Sequence, residues 1–454
     1  MATGTQIDLQ HFSVIPDKLP NNYFDGLPVS RIHKILFFII MLAYFAEQMD
    51  NWNFGFIAPA LMKSWHLSMA DIGRVNFVYF LGMTLGGLCG GIISDFIGRR
   101  KTFLGSMLLF SLGSVANGFV NSLNGVIVTR AVTGFGIFCL MVCSQAYIAE
   151  ISPAESRGKW QGLIAAVGFS AVPVIGAVCR LVIPMSPEAW RFIFFMGGLG
   201  LVAFVLGFRY LKESPRWLVA RKRVPEAEQI VREITGVSVD LSQAAANVQR
   251  ESAWETLLGM FSLKYLSRTV VLAFFVILTV PATFVITVWT PTLLNRRGLS
   301  VKDSLLASFV LMIGVPVGCY IAGMVSDKGG RKIPLATATI LLAVFSAIFA
   351  QVSGFVPIVI VGFLLICCVM ATNFICFSYI AESYPTRMRN TAVGVHNAAG
   401  RFATSFMQLL VPVIFVASGF VGVYRVLAAM VVLPVFVVLI WGLRTGGKPL
   451  EKIA

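Results

Sequence analysis

The chain has 454 residues, of which 57% are hydrophobic and only 13% are charged, and its mean hydropathy is +0.82. This composition excludes a soluble globular protein, because apolar runs of about 20 residues, each long enough to cross a bilayer, recur along the whole chain. The net charge of +15 is therefore no sign of nucleic-acid binding, since in a membrane protein the basic residues mark the orientation of the loops.

Twelve apolar runs separated by polar loops predict twelve transmembrane helices, six in each half of the chain. We number them as predicted spans 1 to 12. In chain order they cover 33 to 62, 71 to 94, 102 to 120, 124 to 149, 160 to 184, 190 to 211, 269 to 294, 303 to 325, 333 to 353, 355 to 380, 391 to 417 and 419 to 442. The sequence thus predicts an all-α membrane protein.

The polar segments divide the chain into five predicted parts. These are an N-terminal segment (1–32), a first half (33–211), a linker with short helices (212–268), a second half (269–442) and a tail (443–454). Most of the 36 Lys and Arg lie in loops on the side of the N-terminus, so the positive-inside rule predicts that both termini are cytoplasmic. We expect a monomer in the cell (inner) membrane, surrounded by the lipid bilayer.

The two halves repeat each other at one fixed offset. The run from Gly90 to Lys101 recurs from Ala322 to Ile333, and the run from Tyr147 to Arg157 recurs from Tyr379 to Arg389. The offset is 232 residues in both cases, from Asp95 to Asp327 and from Glu150 to Glu382. Two different motifs with one spacing predict two homologous, pseudo-symmetric six-helix halves.

The repeated motifs resemble those of a known protein family. The run Gly91-x3-Asp95-x2-Gly98-Arg99-Arg100-Lys101 resembles the signature loop of the major facilitator superfamily. Three further motifs are similar to the sugar-porter and metabolite:proton symporter branch: Arg130-x3-Gly134, Tyr147-Ile-Ala-Glu150-x2-Pro153-x3-Arg157-Gly158 and Glu213-Ser-Pro-Arg216-Trp217. The resemblance covers nearly the whole chain and implies a transporter with the major facilitator fold, not an enzyme.

Carboxylates at the cytoplasmic helix ends can accept charge-assisted hydrogen bonds from nearby arginines and so form a latch between helices that rock against each other. Solvated pairs that merely follow the positive-inside rule are the alternative. On this basis the predicted gating residues are Gly91, Asp95, Gly98, Arg99, Arg100, Glu150, Arg157, Glu213, Arg216, Asp327, Arg331, Glu382 and Arg389.

Ionisable residues at membrane depth are costly and usually functional. Glu47 and Asp50 share one face of span 1, and Arg130 lies in span 4. In proton-coupled relatives the span 1 Asp pairs with the span 4 Arg, so the resemblance implies Asp50 and Arg130 as the coupling pair, with Glu47 as a second site. A structural ion pair between the two spans is the alternative.

Arg401 in span 11 lacks a symmetry-related charge and suits a substrate carboxylate, which a guanidinium binds with two hydrogen bonds. Pairing with a backbone carbonyl or with Glu382 is the alternative. The amides by which sugar carriers hold hexoses are missing, and aromatic and Asn residues stand in the cavity-lining spans instead. The predicted substrate-binding residues are Arg401, Asn51, Asn53, Trp52, Phe284, Trp289, Asn373, Phe377, Tyr379 and Asn397.

These residues predict a proton symporter that imports a small organic acid, with an aromatic or sugar-derived carboxylate as substrate, by alternating access between the halves. The proton gradient supplies the coupling ion, and neither a cofactor nor a metal is expected. Three alternatives stay open: a passive or proton-coupled sugar or polyol transporter, a proton-driven drug exporter and a receptor with this fold.

Overall fold

The computed structural model describes residues 23–26, 29–242, 253–326, 330–385 and 388–443. Its first half contains six long helices, each apolar enough to cross a membrane. They are α1 (Arg31–Trp65), α2 (Met69–Ile97), α3 (Arg99–Phe119), α4 (Leu123–Ile151), α5 (Ala154–Met185) and α6 (Trp190–Tyr210). Between the halves, the described part of the chain forms the short helices α7 (Pro215–Ala220), α8 (Val224–Thr235) and α9 (Ala253–Met260).

The second half contains α10 (Leu263–Arg296), α11 (Val301–Val325), α12 (Lys332–Gln351), α13 (Phe355–Glu382) and α14 (Arg389–Trp441). At 53 residues, α14 would be roughly 80 Å long, far more than the apolar core of a bilayer. Its backbone leaves helical geometry at Gly419, where φ is 64° and ψ is −166°. This break divides α14 into a first arm before Gly419 and a second arm after it, which together supply the last two of the twelve predicted spans.

The two halves pack in the same way, as the duplicated sequence predicts. In the first half α1 packs on α5, α2 packs on α4 and α3 packs on α6. The second half repeats the three pairs: α10 packs on the first arm of α14, α11 packs on α13, and α12 packs on the second arm of α14. Ser346 illustrates the last pair, because its hydroxyl donates to the Tyr424 carbonyl across 3.0 Å. The all-α fold with two pseudo-symmetric halves is therefore confirmed.

Glycines bring the two halves into close contact at the end of the bundle away from the chain termini, which we call the distal end. A Cβ on Gly55 of α1 would lie 2.8 Å from the Val288 carbonyl oxygen of α10. A Cβ on Gly73 of α2 would likewise lie 2.8 Å from the Gln408 carbonyl oxygen of α14. Since any larger residue would meet rigid backbone, the helices approach this closely only because these positions are glycine.

We therefore expect Gly55→Ala to separate the distal ends of α1 and α10. Hydrogen–deuterium exchange should increase in the distal parts of both helices, because the added methyl group forces the Val288 backbone away. Gly105→Ala serves as the control, since a Cβ at Gly105 has no neighbour within 4 Å. Equal exchange in the two variants would contradict the role given to Gly55.

Candidate functional site

The first half buries an ion pair between α1 and α4. Arg130 Nη1 donates to Asp50 Oδ2 across 3.3 Å, and neither side chain is more than 1% exposed. An ion so completely removed from water is stable only when it is paired, because desolvation costs several kcal/mol. The fold thus brings together the two residues that the family resemblance associates with proton coupling.

Neighbouring residues hold Asp50 in place. Its Oδ1 accepts hydrogen bonds from the Ser114 hydroxyl of α3 and, across 3.0 Å, from Asn53 Nδ2. Gly197 in α6 leaves room for this arrangement, since a Cβ there would lie 2.1 Å from Ser114 Oγ and 3.2 Å from Asp50 Oδ1. Ser114 and Gly197 were missed in the sequence because small residues in an apolar span give no signal of a polar contact. Asn53, a predicted substrate ligand, serves Asp50 instead.

Aromatic rings surround the Arg130 guanidinium. Its Cζ lies 3.9 Å from the ring centre of Tyr79 and 5.2 Å from that of Phe54. The Tyr79 hydroxyl donates to Asn51 Oδ1 across 2.9 Å. Such cation–π contacts add about 0.5 to 2 kcal/mol each in a desolvated site, so Tyr79 ties α2 to both the ion pair and the predicted residue Asn51.

Arg401 extends from the first arm of α14 across to the first half. Its Nη1 lies 3.7 Å from Met83 Sδ of α2, and its Cζ lies 4.8 Å from the ring centre of Phe138 in α4 and 4.2 Å from that of Phe284 in α10. The residue is only 8% exposed, and its Nε has no hydrogen-bond partner among the described residues. None of these contacts is a carboxylate. Glu382, weighed above as a partner, pairs with Arg331 instead.

Glu47 is a second buried carboxylate on α1, besides Asp50. It is 1% exposed, and its Oε2 has no hydrogen-bond partner among the described residues. Glu47 and Arg401 are thus two buried side chains of opposite charge type, one in each half, and no ion pair of 4.0 Å or less joins them among the described residues.

Phe284 connects the aromatic residues of the two halves. Besides its contact with Arg401, its ring lies 6.4 Å from Trp52 at an interplanar angle of 24°, and 5.2 Å from Phe80 in an edge-to-face arrangement. Trp52 is held by its Nε1, which donates to Gln48 Oε1 across 2.9 Å. Two of the predicted substrate residues, Trp52 and Phe284, therefore meet beside Arg401.

The other predicted substrate residues lie in different surroundings. Trp289 is fully buried, and its Nε1 donates to Gln408 Oε1 across 2.6 Å. Tyr379 lies near the chain termini, where its hydroxyl donates to the Leu443 carbonyl across 2.9 Å. Both side chains thus bind other protein groups, Gln408 and the Leu443 carbonyl. Asn373 accepts from Thr283 at 3.4 Å, whereas Phe377 and Asn397 are half-buried.

Arg99 joins two of the predicted gating carboxylates in the first half. Its Nε donates to Glu150 Oε2 across 3.0 Å, and its Nη1 donates to Asp95 Oδ1 across 2.6 Å. Arg157 was also predicted as a gating residue. Its Nη2 atom lies 3.8 Å from Asp25 Oδ1. Because α2, α3 and α4 all belong to the first half, this latch joins helices within that half.

Gly98 and Glu213 complete the same region. Gly98 has a φ of 104°, and a Cβ there would lie 2.3 Å from Glu213 Oε2. Glu213 Oε1 accepts from the backbone NH groups of Arg100 and Ser214 at 3.1 and 2.9 Å. Burial raises the pKa of Glu213 above its ordinary value, and these NH groups oppose the rise. Gly91 and Arg216, also predicted as gating residues, are half-buried and exposed respectively.

The second half repeats the latch in part. Arg331 Nε donates to Glu382 Oε1 across 2.8 Å, and its Nη1 donates to the Ser326 hydroxyl. Arg389 Nε donates to the Ala381 carbonyl across 2.9 Å. Asp327, the symmetry mate of Asp95, lies outside the described residues. The pair of Arg331 with Glu382 therefore corresponds to that of Arg99 with Glu150.

Comparison with known proteins assigns this architecture. The family model of the Major Facilitator Superfamily matches residues 40–408. The chain belongs to the major facilitator superfamily. It is a multi-pass membrane transporter and not an enzyme.

The chain is also similar to individual transporters and to a solved structure. It is 30% identical to the inner membrane metabolite transport protein YdjE of Escherichia coli over 95% of this chain and 97% of the relative. It is 27% identical to the niacin transporter NiaP of Acinetobacter baylyi, over 94% and 98% respectively. The xylose transporter XylE of Escherichia coli, in a partially occluded inward open conformation, matches with a TM-score of 0.76 and 18% identity, over 92% and 99%. At this identity XylE shows the fold alone.

The latch of this major facilitator predicts unequal roles for its two carboxylates. The Glu150 side chain is 10% exposed, whereas that of Asp95 is 72% exposed. Glu150→Gln should lower the free energy of unfolding by about 1 to 3 kcal/mol, because it leaves Arg99 without its buried partner. Asp95→Asn should cost at most about 1 kcal/mol, as for a surface ion pair. Denaturant unfolding of the two purified variants measures the difference, and equal losses would contradict this assignment.

Proposed function

We propose that this transporter is a proton symporter that takes up a small organic acid by alternating access, with both termini in the cytoplasm. The observation that supports the proposal most is Arg401, a buried guanidinium that crosses from one half to the other and contacts no carboxylate among the described residues. A cation in such a site favours an anionic ligand, because the ligand's charge replaces the lost hydration.

Surrounding rings favour an acid with a flat carbon skeleton. Phe284 of the second half contacts the guanidinium, and Trp52 of the first half stacks on Phe284. Asn51 supplies an amide that accepts from the neighbouring Tyr79. Niacin, which the relative NiaP is named for transporting, is a pyridine carboxylic acid and has this combination of ring and charge. We therefore propose an aromatic carboxylate as the substrate.

The proton would be carried by Asp50. In the described conformation Asp50 is paired with Arg130 across 3.3 Å. When the halves move and the pair separates, a buried carboxylate without its cation favours protonation. Alternation between these two environments couples proton movement to the conformational cycle.

Arg401 should select the charge of the substrate. We expect thermal-shift screening of the wild type to give stabilisation by niacin or benzoate and none by nicotinamide, benzamide or xylose, because only the acids supply a counter-charge. Arg401→Lys should bind the acids weakly, since it lacks the planar fork, and Arg401→Ala should not bind them. Arg74→Lys, at a residue whose side chain is 64% exposed, is the control.

Stabilisation by the neutral amides as large as that by the acids would discard the organic-acid proposal. Stabilisation by xylose alone would favour the sugar transporter instead.

Asp50 should be needed for coupling but not for movement of the substrate. Asp50→Asn in proteoliposomes should abolish accumulation driven by an inward proton gradient while exchange of labelled substrate across the membrane continues, because the amide cannot release a proton. Asp303→Asn is the control, since Asp303 is exposed at the start of α11, where its Oδ2 accepts from the Ser300 hydroxyl across 2.6 Å. Gradient-driven accumulation by Asp50→Asn at the wild-type level would remove Asp50 from the mechanism.

A further inference from the structure

Glu47 and Arg401 lie at the same depth in the bundle. The helices α1 and α2 are antiparallel neighbours, and the hydrogen bond of Tyr79 to Asn51 fixes their relative register. One helical turn from Asn51 toward the chain termini is Glu47, and one turn from Tyr79 in the same direction is Met83. Since Arg401 Nη1 lies 3.7 Å from Met83 Sδ, the guanidinium reaches the layer that contains Glu47.

The charges of the site therefore form two layers, one turn apart. The distal layer pairs Asp50 with Arg130 inside the first half. The second layer sets Glu47 of the first half against Arg401 of the second half, and each retains an atom without a hydrogen-bond partner among the described residues: Oε2 and Nε. Arg130 Nε is likewise without a partner among the described residues, but the first layer is joined by a direct ion pair. No ion pair joins Glu47 to Arg401 among the described residues, so the second layer can accept a further partner.

We propose that Glu47 is the counter-ion of Arg401 in the substrate-free transporter, and that a substrate carboxylate replaces it only when Glu47 takes up a proton. This inference rests on the proposed organic-acid substrate and adds a second coupling site to it. In the substrate-free state the layer holds one carboxylate and one guanidinium. In the bound state it holds a neutral Glu47 acid, the guanidinium and the substrate carboxylate.

The net charge of the layer is the same in both states, which is the physical reason for the proton. Binding an anion beside an ionised Glu47 would leave an excess negative charge in a region removed from water, at a cost of several kcal/mol. A proton from solvent cancels this charge. Other charged or titratable groups act on the same region, and none of them is ion-paired with Glu47: Asp50, Arg130, Tyr44 and Tyr79.

A double-mutant cycle on the ligand-free protein tests the counter-ion role. Glu47→Gln and Arg401→Gln should each lower the midpoint of thermal unfolding, because each leaves one buried charge uncompensated. The double variant should unfold at a higher temperature than either single variant, since it removes both charges. The control cycle combines Glu47→Gln with Arg99→Gln, whose partner is Glu150, and its effects should add. Additive effects of Glu47→Gln and Arg401→Gln would overturn the proposal.

Proton uptake on binding of benzoate provides a second measurement that does not depend on relative stabilities. In weakly buffered solution near neutral pH, where benzoate is already ionised, its binding to the wild type should remove protons from the solution. Glu47→Gln should bind benzoate without this uptake, and Asp50→Asn should retain it. Uptake that persists in Glu47→Gln would assign the proton to another group and overturn the proposal.

The two measurements separate this inference from the proposed function. If benzoate and niacin bind neither the wild type nor Glu47→Gln, the organic-acid substrate is wrong, while the ligand-free cycle still decides whether Glu47 compensates Arg401. If the acids bind but the effects of Glu47→Gln and Arg401→Gln on thermal unfolding are additive, the proposed substrate class is retained and the proposed role of Glu47 is wrong.

Discussion

The arrangement of this protein depends on one constraint, that charge inside a membrane-embedded bundle must be neutralised close by. Asp50 and Arg130 satisfy it by pairing with each other, and Asp50 also accepts hydrogen bonds from Ser114 and Asn53. The same requirement places Glu150 against Arg99 near the chain termini. Each of these pairs lies within one half, so that each half carries its own compensated charges when the halves move.

Arg401 departs from this pattern, because it belongs to the second half and contacts Met83 and Phe138 of the first. A guanidinium shared between two bodies that move relative to each other must change its environment during the cycle. The π faces of Phe138 and Phe284 attract the guanidinium and so compensate part of the hydration energy that it loses on burial. This contact is weaker than a permanent ion pair. This incomplete compensation is what leaves the site open to a ligand that carries its own negative charge.

Different interactions hold the two ends of the bundle together: backbone packing at the distal end, and ion pairs at the other. At the distal end, Gly55 and Gly73 allow backbone of one half to touch backbone of the other. Near the termini, the latch of Arg99 and that of Arg331 hold helices together inside each half. Close backbone packing therefore closes the distal end in the described conformation. The proposed site lies between the glycine contacts and the latches.

The sequence by itself determined the number of spans, the duplication and the depth of each charge, because hydropathy and the offset of 232 residues depend only on position along the chain. The family resemblance added the pairing of Asp50 with Arg130. Only the tertiary structure decided that Asn53 donates to Asp50 and that Arg157 lies beside Asp25. It also decided that Tyr379 donates to Leu443, that Trp289 donates to Gln408 and that Glu47 lies in the same layer as Arg401. Depth along a helix follows from counting residues, whereas the direction a side chain faces depends on how the helix is rotated against its neighbours. Packing between helices distant in sequence sets that rotation.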